Sequence, residues 1–327
     1  MMEPGHYLVT GGAGFIGSHL VERLLKDGHQ VTVVDDCSTG RVENLQHLRI
    51  TPNLRLITQR VSECAELREI VRTANGVYHL AAAVGVELIV KRTIHSIETN
   101  VRETELIFAA ANEFGVRVLL TSSSEVYGLS AKEAFTESDD LLIGPPTYPR
   151  WSYACSKLMD EFLGLAYWRE KKLPVVITRL FNTVGPRQTG QYGMVVPRFI
   201  EAALRNDPIR VFGDGSQTRC FCHVVDTVEA LVRLMNATSA QGEIFNVGST
   251  EEVSIRELAE RVIAQLGSNS RIEFIPYDQA YHPGFEDMAR RKPVVNKLDQ
   301  VIGFRPRTPL SEIIRTTAES LRQKVNA

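Results

Sequence analysis

The chain has 327 residues, with 37 Lys and Arg against 39 Asp and Glu, for a formal net charge of -2. A chain this long buries roughly three quarters of its unfolded surface, so it needs no disulfide or metal to hold its core. A near-neutral balance supplies no overall field for nucleic acid or an anionic membrane, so neither is expected as a partner.

The opening apolar run, HYLVT, follows the start too closely to be the core of a signal peptide, and no later run approaches the 18 or so apolar residues of a membrane span. The cysteines at 37, 64, 155, 220 and 222 contain no CxxC pair, so no disulfide framework or zinc site is expected. Reduced thiols in a cytoplasmic protein are the simplest reading.

Short β-branched runs then alternate with amphipathic stretches. HYLVT is followed by a helix at 15–27, QVTVVD by a loop, LRLIT by 64–73, GVYHLA by 95–114, and VRVLLTSSS by a helix from 148 to about 171. Alternation of this kind predicts an α/β fold of Rossmann type, a doubly wound parallel sheet with helices on both faces. LPVVITRLFN adds a buried strand, 224–236 a helix and GEIFNVG a late strand. Gly-, Pro- and Gln-rich 183–222 breaks the texture. The remainder predicts a helix at 254–266, a strand in RIEFIP, a loop at 281–293 and a helix at 309–322. We therefore expect residues 1–182 plus 223–248 to form a cofactor-binding domain. Residues 183–222 plus 249–327 form a smaller interleaved α/β domain that binds substrate.

Between the first strand and helix stands TGGAGFIGSHL. Gly12, Gly14 and Gly17 fit GxGxxG, while Gly11, Gly14 and Gly17 fit the wider GxxGxxG. Glycines there allow a tight turn and bring backbone N–H groups and a helix N-terminus against a pyrophosphate. The acidic pair Asp35-Asp36 ends the second strand 18 residues after Gly17. A carboxylate there accepts from a ribose 2′-hydroxyl and repels a 2′-phosphate, which favours NAD, although Arg41 keeps an NADP reading open.

Tyr153 and Lys157 lie four apart on a helical stretch and share one face. A phenol acting near neutral pH needs about three pKa units, roughly 4 kcal/mol, of phenolate stabilisation. The Lys157 ammonium and a positive nicotinamide supply it. Such a pair is often an ordinary helix surface pair, but here TSSSEVYG ends the fifth strand, where hydroxyls can orient a substrate oxygen.

Taken together, TGGAGFIGSHL, VVDD, YHLAA, TNV, SSSEVYG, YxxxK, RLFNTVGPR and FGDGSQTRCFCHVVD resemble the extended short-chain dehydrogenases/reductases over nearly the whole chain. That group contains NAD-dependent sugar-nucleotide epimerases, dehydratases and decarboxylases. The resemblance implies that Gly11, Gly14 and Gly17, with Phe15 and Ile16, hold the pyrophosphate. It places Asp35 and Asp36 at the adenosine ribose, Leu80, Ala81, Ala82 and Asn100 along the cofactor, and Lys157 at the nicotinamide ribose. Tyr153 becomes the base, beside Ser123 and Ser124. Asn182, Val196, Phe212 and Arg219 fall where relatives meet the nucleotide diphosphate and base. Arg60 stands where relatives carry an Asp beside the adenine, which puts that contact in doubt.

Dehydratases resemble Thr-Asp-Glu before VYG, whereas this chain has Ser123, Ser124 and Glu125 and lacks the Asp that expels water. The segment is similar to that of UDP-glucuronate decarboxylases. So is GFEDMARRKPVV, whose Arg291, or Arg290 by one residue, matches an Arg before Lys-Pro. The resemblance implies C4 oxidation of a UDP-sugar followed by decarboxylation of UDP-glucuronate. An NDP-sugar 4-epimerase is the alternative, and a catalytically silent NAD(H)-sensing protein a more distant one. It also implies a homodimer through helices 95–114 and 148–171.

Overall fold

Strand β1 (His6–Thr10) is buried along nearly its whole length and leads through the glycine-rich turn into α1 (Phe15–Lys26). The computed structural model describes residues 3–85, 92–190, 194–276, 288 and 290–325. The chain continues through β2 (Gln30–Val34), β3 (Leu54–Ile57), α2 (Leu67–Thr73), β4 (Gly76–His79), α3 (Thr93–Phe114) and β5 (Val118–Ser123). Then come α4 (Trp151–Lys171), β6 (Val175–Leu180), β7 (Thr183–Val184), α5 (Val195–Arg205), β8 (Ile209–Phe212), β9 (Thr218–Cys220) and β10 (Cys222–His223). The last part holds α6 (Val224–Asn236), β11 (Glu243–Val247), β12 (Glu252–Ser254), α7 (Ile255–Leu266), β13 (Ile272–Ile275), α8 (Asn296–Ile302) and α9 (Leu310–Val325).

Seven strands form one parallel sheet in the order β11-β6-β5-β4-β1-β2-β3. The order reverses between β1 and β4, which opens a crevice at the carboxyl ends of the strands, the place where such sheets bind ligands. Neighbouring residues of β1 serve opposite faces, as the period of two requires. Val9 packs with Leu20, Val33, Leu231 and Phe245, and Leu8 packs with Ile107, Phe108, Leu120 and Ile177. Both faces are therefore covered, and the sheet is the expected doubly wound one.

A separate apolar cluster joins α5, β8, α7 and α9 through Phe199, Val211, Leu258, Val262 and Ile314. Val295 and Leu298, at the start of α8, pack instead with the sheet cluster. Two helix starts fall later than the periodicity suggests. The stretch expected from 64 begins with a short 3-10 turn, Val61–Glu63, and becomes α-helical only at Leu67. The stretch expected from 148 begins at Trp151, after turns closed by Tyr148 N–H on Pro145 O and Trp151 N–H on Tyr148 O. Pro149 has no N–H to continue a ladder. Most of the loop expected at 281–293 lies outside the described residues. No described helix is long and apolar enough to cross a membrane.

Candidate active site

The turn after β1 is built by backbone geometry. Gly11 has φ +71°, and a Cβ on Gly17 would fall 2.1 Å from the Gly11 carbonyl oxygen. Gly14 begins α1 with no side-chain cap, so the first-turn N–H groups face the cleft as an anion site. Asp35 is buried and accepts from Ala13 N–H and Cys37 N–H, both at 2.8 Å. Burial pushes its carboxyl up, and these two N–H groups draw it back down. This cradle fits the pyrophosphate and adenosine ribose of NAD.

Asp36 accepts from Ser38 N–H and faces the Arg60 guanidinium at 3.4 Å. The residue that departs from the family pattern is thus held against the second member of the acidic pair.

One cavity of about 560 Å³ runs from this turn to the second cluster. Its walls include Gly11, Gly14, Phe15, Ile16 and Gly17, then Asp35, Asp36, Leu80, Ala81 and Ala82. Ser123, Glu125, Tyr153, Lys157 and Arg291 line it farther along, with Asn182, Val196, Phe212 and Arg219 at the far end. Two expected residues do not line it. Asn100 is fully buried behind the wall, where its Oδ1 accepts from Ala83 N–H at 2.7 Å and its amide donates to the Ser156 hydroxyl. It shapes the cleft without facing it.

Ser124 does not line it either. The 3-10 turn Ser124–Tyr127 rotates its side chain into the protein, where it is fully buried. Ser123 is the residue whose hydroxyl meets the Tyr153 phenol, and it also accepts from Glu125 N–H at 3.2 Å. Burial is the main force pushing the Tyr153 phenol well above its ordinary value, and the negative charges of Glu125 and Asp160 add to it. Arg291 and the Ser123 hydroxyl act in the opposite sense. Lys157 Nζ donates to Asp160 Oδ2 at 3.1 Å, and both side chains are buried.

Arg290 and Arg291 point in different directions. Arg290 is half exposed and turns outward to Glu133 and Glu252 at 3.7 and 3.8 Å. Arg291 turns inward, donates to the Ser124 hydroxyl at 2.6 Å and stands 3.6 Å from Glu125. The backbone that follows it is pinned by Phe135, whose N–H donates to Lys292 O and whose carbonyl accepts from Val294 N–H, both at 2.8 Å. Asn246 ties the same segments together, accepting from the Tyr127 hydroxyl and donating to Phe135 O.

At the far end, Arg219 is buried, and the Arg198 guanidinium stacks over the Phe212 ring at 4.4 Å. The Asn182 amide donates to Cys220 O at 3.2 Å. Arg150 was missed from the sequence. It lines the cavity three residues before Tyr153, buried and with its guanidinium over the Trp151 ring at 4.9 Å. Its (i, i+3) spacing to Tyr153 is the signal that points to it.

Comparison with known proteins gives the family. Residues 8–317 match the family model described as GDP-mannose 4,6 dehydratase. A UDP-N-acetyl-alpha-D-glucosaminuronate decarboxylase of Bacillus cytotoxicus is 42% identical over 320 residues, covering 98% of both chains. UDP-glucuronic acid decarboxylase 1 of Danio rerio is 36% identical over 313 residues, 95% of this chain and 71% of that one. The structure of a UDP-glucuronic acid 4-epimerase from Bacillus cereus, in complex with UDP-glucuronic acid and NAD, superposes with a TM-score of 0.87. It is 26% identical, covering 98% of this chain and 99% of that one. The chain belongs to the GDP-mannose 4,6 dehydratase family of extended short-chain dehydrogenases/reductases, NAD-dependent enzymes that modify nucleotide sugars.

Proposed function

We propose that this protein decarboxylates a UDP-hexuronate after transient oxidation at C4. The observation that carries the reading is Arg291, brought from a distant segment to stand opposite Glu125 beside Tyr153. NAD, when bound, would supply the acceptor for the C4 hydride of the sugar. Tyr153, hydrogen-bonded to Ser123 and close to Lys157, accepts the C4 hydroxyl proton. The C6 carboxylate is then β to a ketone. The C5–C6 bond breaks, CO2 departs, and the electron pair passes to the C4 oxygen, which Tyr153 protonates. Arg291 binds the carboxylate before it leaves, and Glu125 positions the sugar or moves a proton at C5. Gly11, Gly14 and Gly17 receive the cofactor pyrophosphate and Asp35 its ribose. Asn182, Val196, Phe212 and Arg219 receive the substrate's nucleotide.

The 2-substituent is a hydroxyl or an acetamido group, as in the named substrates of the Danio rerio and Bacillus cytotoxicus relatives. The test is to incubate the protein with NAD and each of the two UDP-hexuronates, and to measure CO2 with the nucleotide-sugar product. A UDP-pentose or its 4-keto form supports decarboxylation. The second reading is 4-epimerisation, favoured by the likeness to the Bacillus cereus epimerase. It yields UDP-galacturonate or its acetamido counterpart without CO2.

The interleaved two-domain division is part of the proposal, with residues 295–304 returning to the sheet side. So is a homodimer through α3 and α4, whose outer faces expose Ile94 (74%), Ile97 (41%), Met159 (56%) and Phe162 (63%). Free, scattered cysteines are consistent with a cytoplasmic location, which cell fractionation tests.

A further inference from the structure

The Tyr153–Lys157 pair carries a third member. Asp160 lies one turn beyond Lys157, with its carboxylate 3.1 Å from the ammonium, and the two side chains are 1% and 2% exposed. A buried ion pair contributes little net stability compared with apolar side chains of the same size, so folding alone does not account for the pair. The pair is also supported from behind. The Thr104 hydroxyl lies beside Asp160, and His79 Nε2 contacts the same hydroxyl at 3.0 Å. His79 Nδ1 in turn contacts Thr10 Oγ1 at 2.7 Å, and Thr10 ends β1 at the cofactor turn. A chain of contacts from β1, β4 and α3 thus reaches the ion pair of α4.

We infer that Asp160 is a positioning residue of the reaction, fixing the Lys157 ammonium and setting how much positive charge the Tyr153 oxygen experiences. The inference rests on the proposed role of Tyr153 as the base. Burial pushes the Asp160 carboxyl up, while Lys157 and Thr104 draw it back down. The Asp160 charge opposes phenolate formation at Tyr153. The other charged and titratable groups around the three are few. On α4, Glu161 turns to Arg179 of β6 at 2.8 Å. On α3, Glu103 turns to Ser62. His79 on β4 is held neutral by burial, with its value lowered to about 3, and Glu125 and Arg291 flank Tyr153 from the opposite wall.

The test compares wild type with Asp160→Asn and with Thr104→Val, which removes only the hydroxyl beside the carboxylate. Two readouts are followed. One is the acid limb of the kcat–pH profile with a UDP-hexuronate. The other is the phenolate absorbance of the NAD-loaded protein against pH, with Tyr153→Phe subtracted. Removing the Asp160 charge favours the phenolate, so Asp160→Asn moves both the limb and the phenolate titration to lower pH by about one unit. Thr104→Val keeps the Asp160 charge and removes a donor that compensates it, so it moves them the opposite way, to higher pH, by up to roughly half a unit. If Asp160→Asn does not fold, Thr104→Val carries the test alone. Lower stability or a lower kcat with both titrations unmoved overturns the inference. If wild type turns over neither UDP-hexuronate, the proposed substrate fails, while the absorbance titration still decides the role of Asp160.

Discussion

Arg291 donates to the Ser124 hydroxyl at 2.6 Å across 167 residues of chain, and that bond aims its guanidinium at Glu125. The serine that the motif brings beside the tyrosine therefore serves the arginine, and its neighbour Ser123 serves the phenol.

Arg291→Ala should lower CO2 release by about 100-fold, the cost of losing one preorganised charged donor. Ser124→Ala should lower it by about tenfold, since the guanidinium stays but loses its tether. Steady-state CO2 measurement checks both. An Arg291→Ala protein that released CO2 at the wild-type rate would overturn the assignment.

Tyr153→Phe should cost between about 100- and 10,000-fold in kcat, the range for a removed acid–base group, while NAD binding stays close to wild type. Turnover and calorimetric NAD titration measure the two separately. Equal loss of both would mean that the phenol holds the cofactor.

Gly17→Ala places a methyl where 2.1 Å separates it from the Gly11 carbonyl oxygen, so the turn must move. NAD affinity should fall by about tenfold or more, read by fluorescence titration.

His79 is fully buried between two threonine hydroxyls, and burial is the main force lowering its value to about 3, with the Lys157 charge adding to it. The unfolded chain takes up a proton on this histidine near its ordinary value of about 6.5, whereas the folded protein resists it. Stability is therefore full above about pH 6.5 and falls as the pH drops from there towards 3, by about 2 kcal/mol at pH 5. Urea unfolding at pH 7 and pH 5 should show a smaller pH-dependent loss for His79→Gln than for wild type.

Phe162→Glu and Met159→Lys place charges on the exposed apolar face of α4. Light scattering should report a dimer for wild type and a monomer for the double variant. A wild-type monomer would refute the proposed assembly.

Much of this was legible in the sequence because local periodicity carries it. The parallel sheet, the glycine turn, Asp35 and the (i, i+4) pair Tyr153 and Lys157 depend on spacings of 2, 3.6 or a few residues. The side-chain directions of Ser123 and Ser124 were not legible, because a 3-10 turn at the strand end rotates one of them inward. The choice between Arg290 and Arg291 depended on a backbone pairing with Phe135, more than 150 residues away in sequence. The contact between Arg60 and Asp36 joins two strand ends and has no periodic signature.

The long reach from Ser124 to Arg291 also divides the site by position in the chain. The glycine turn, Asp35, Tyr153 and Lys157 all precede residue 183, whereas the guanidinium opposite Glu125 comes from residue 291. A chain cut before residue 291 lacks that guanidinium and leaves Phe135 and Asn246 without the late segment that docks on them.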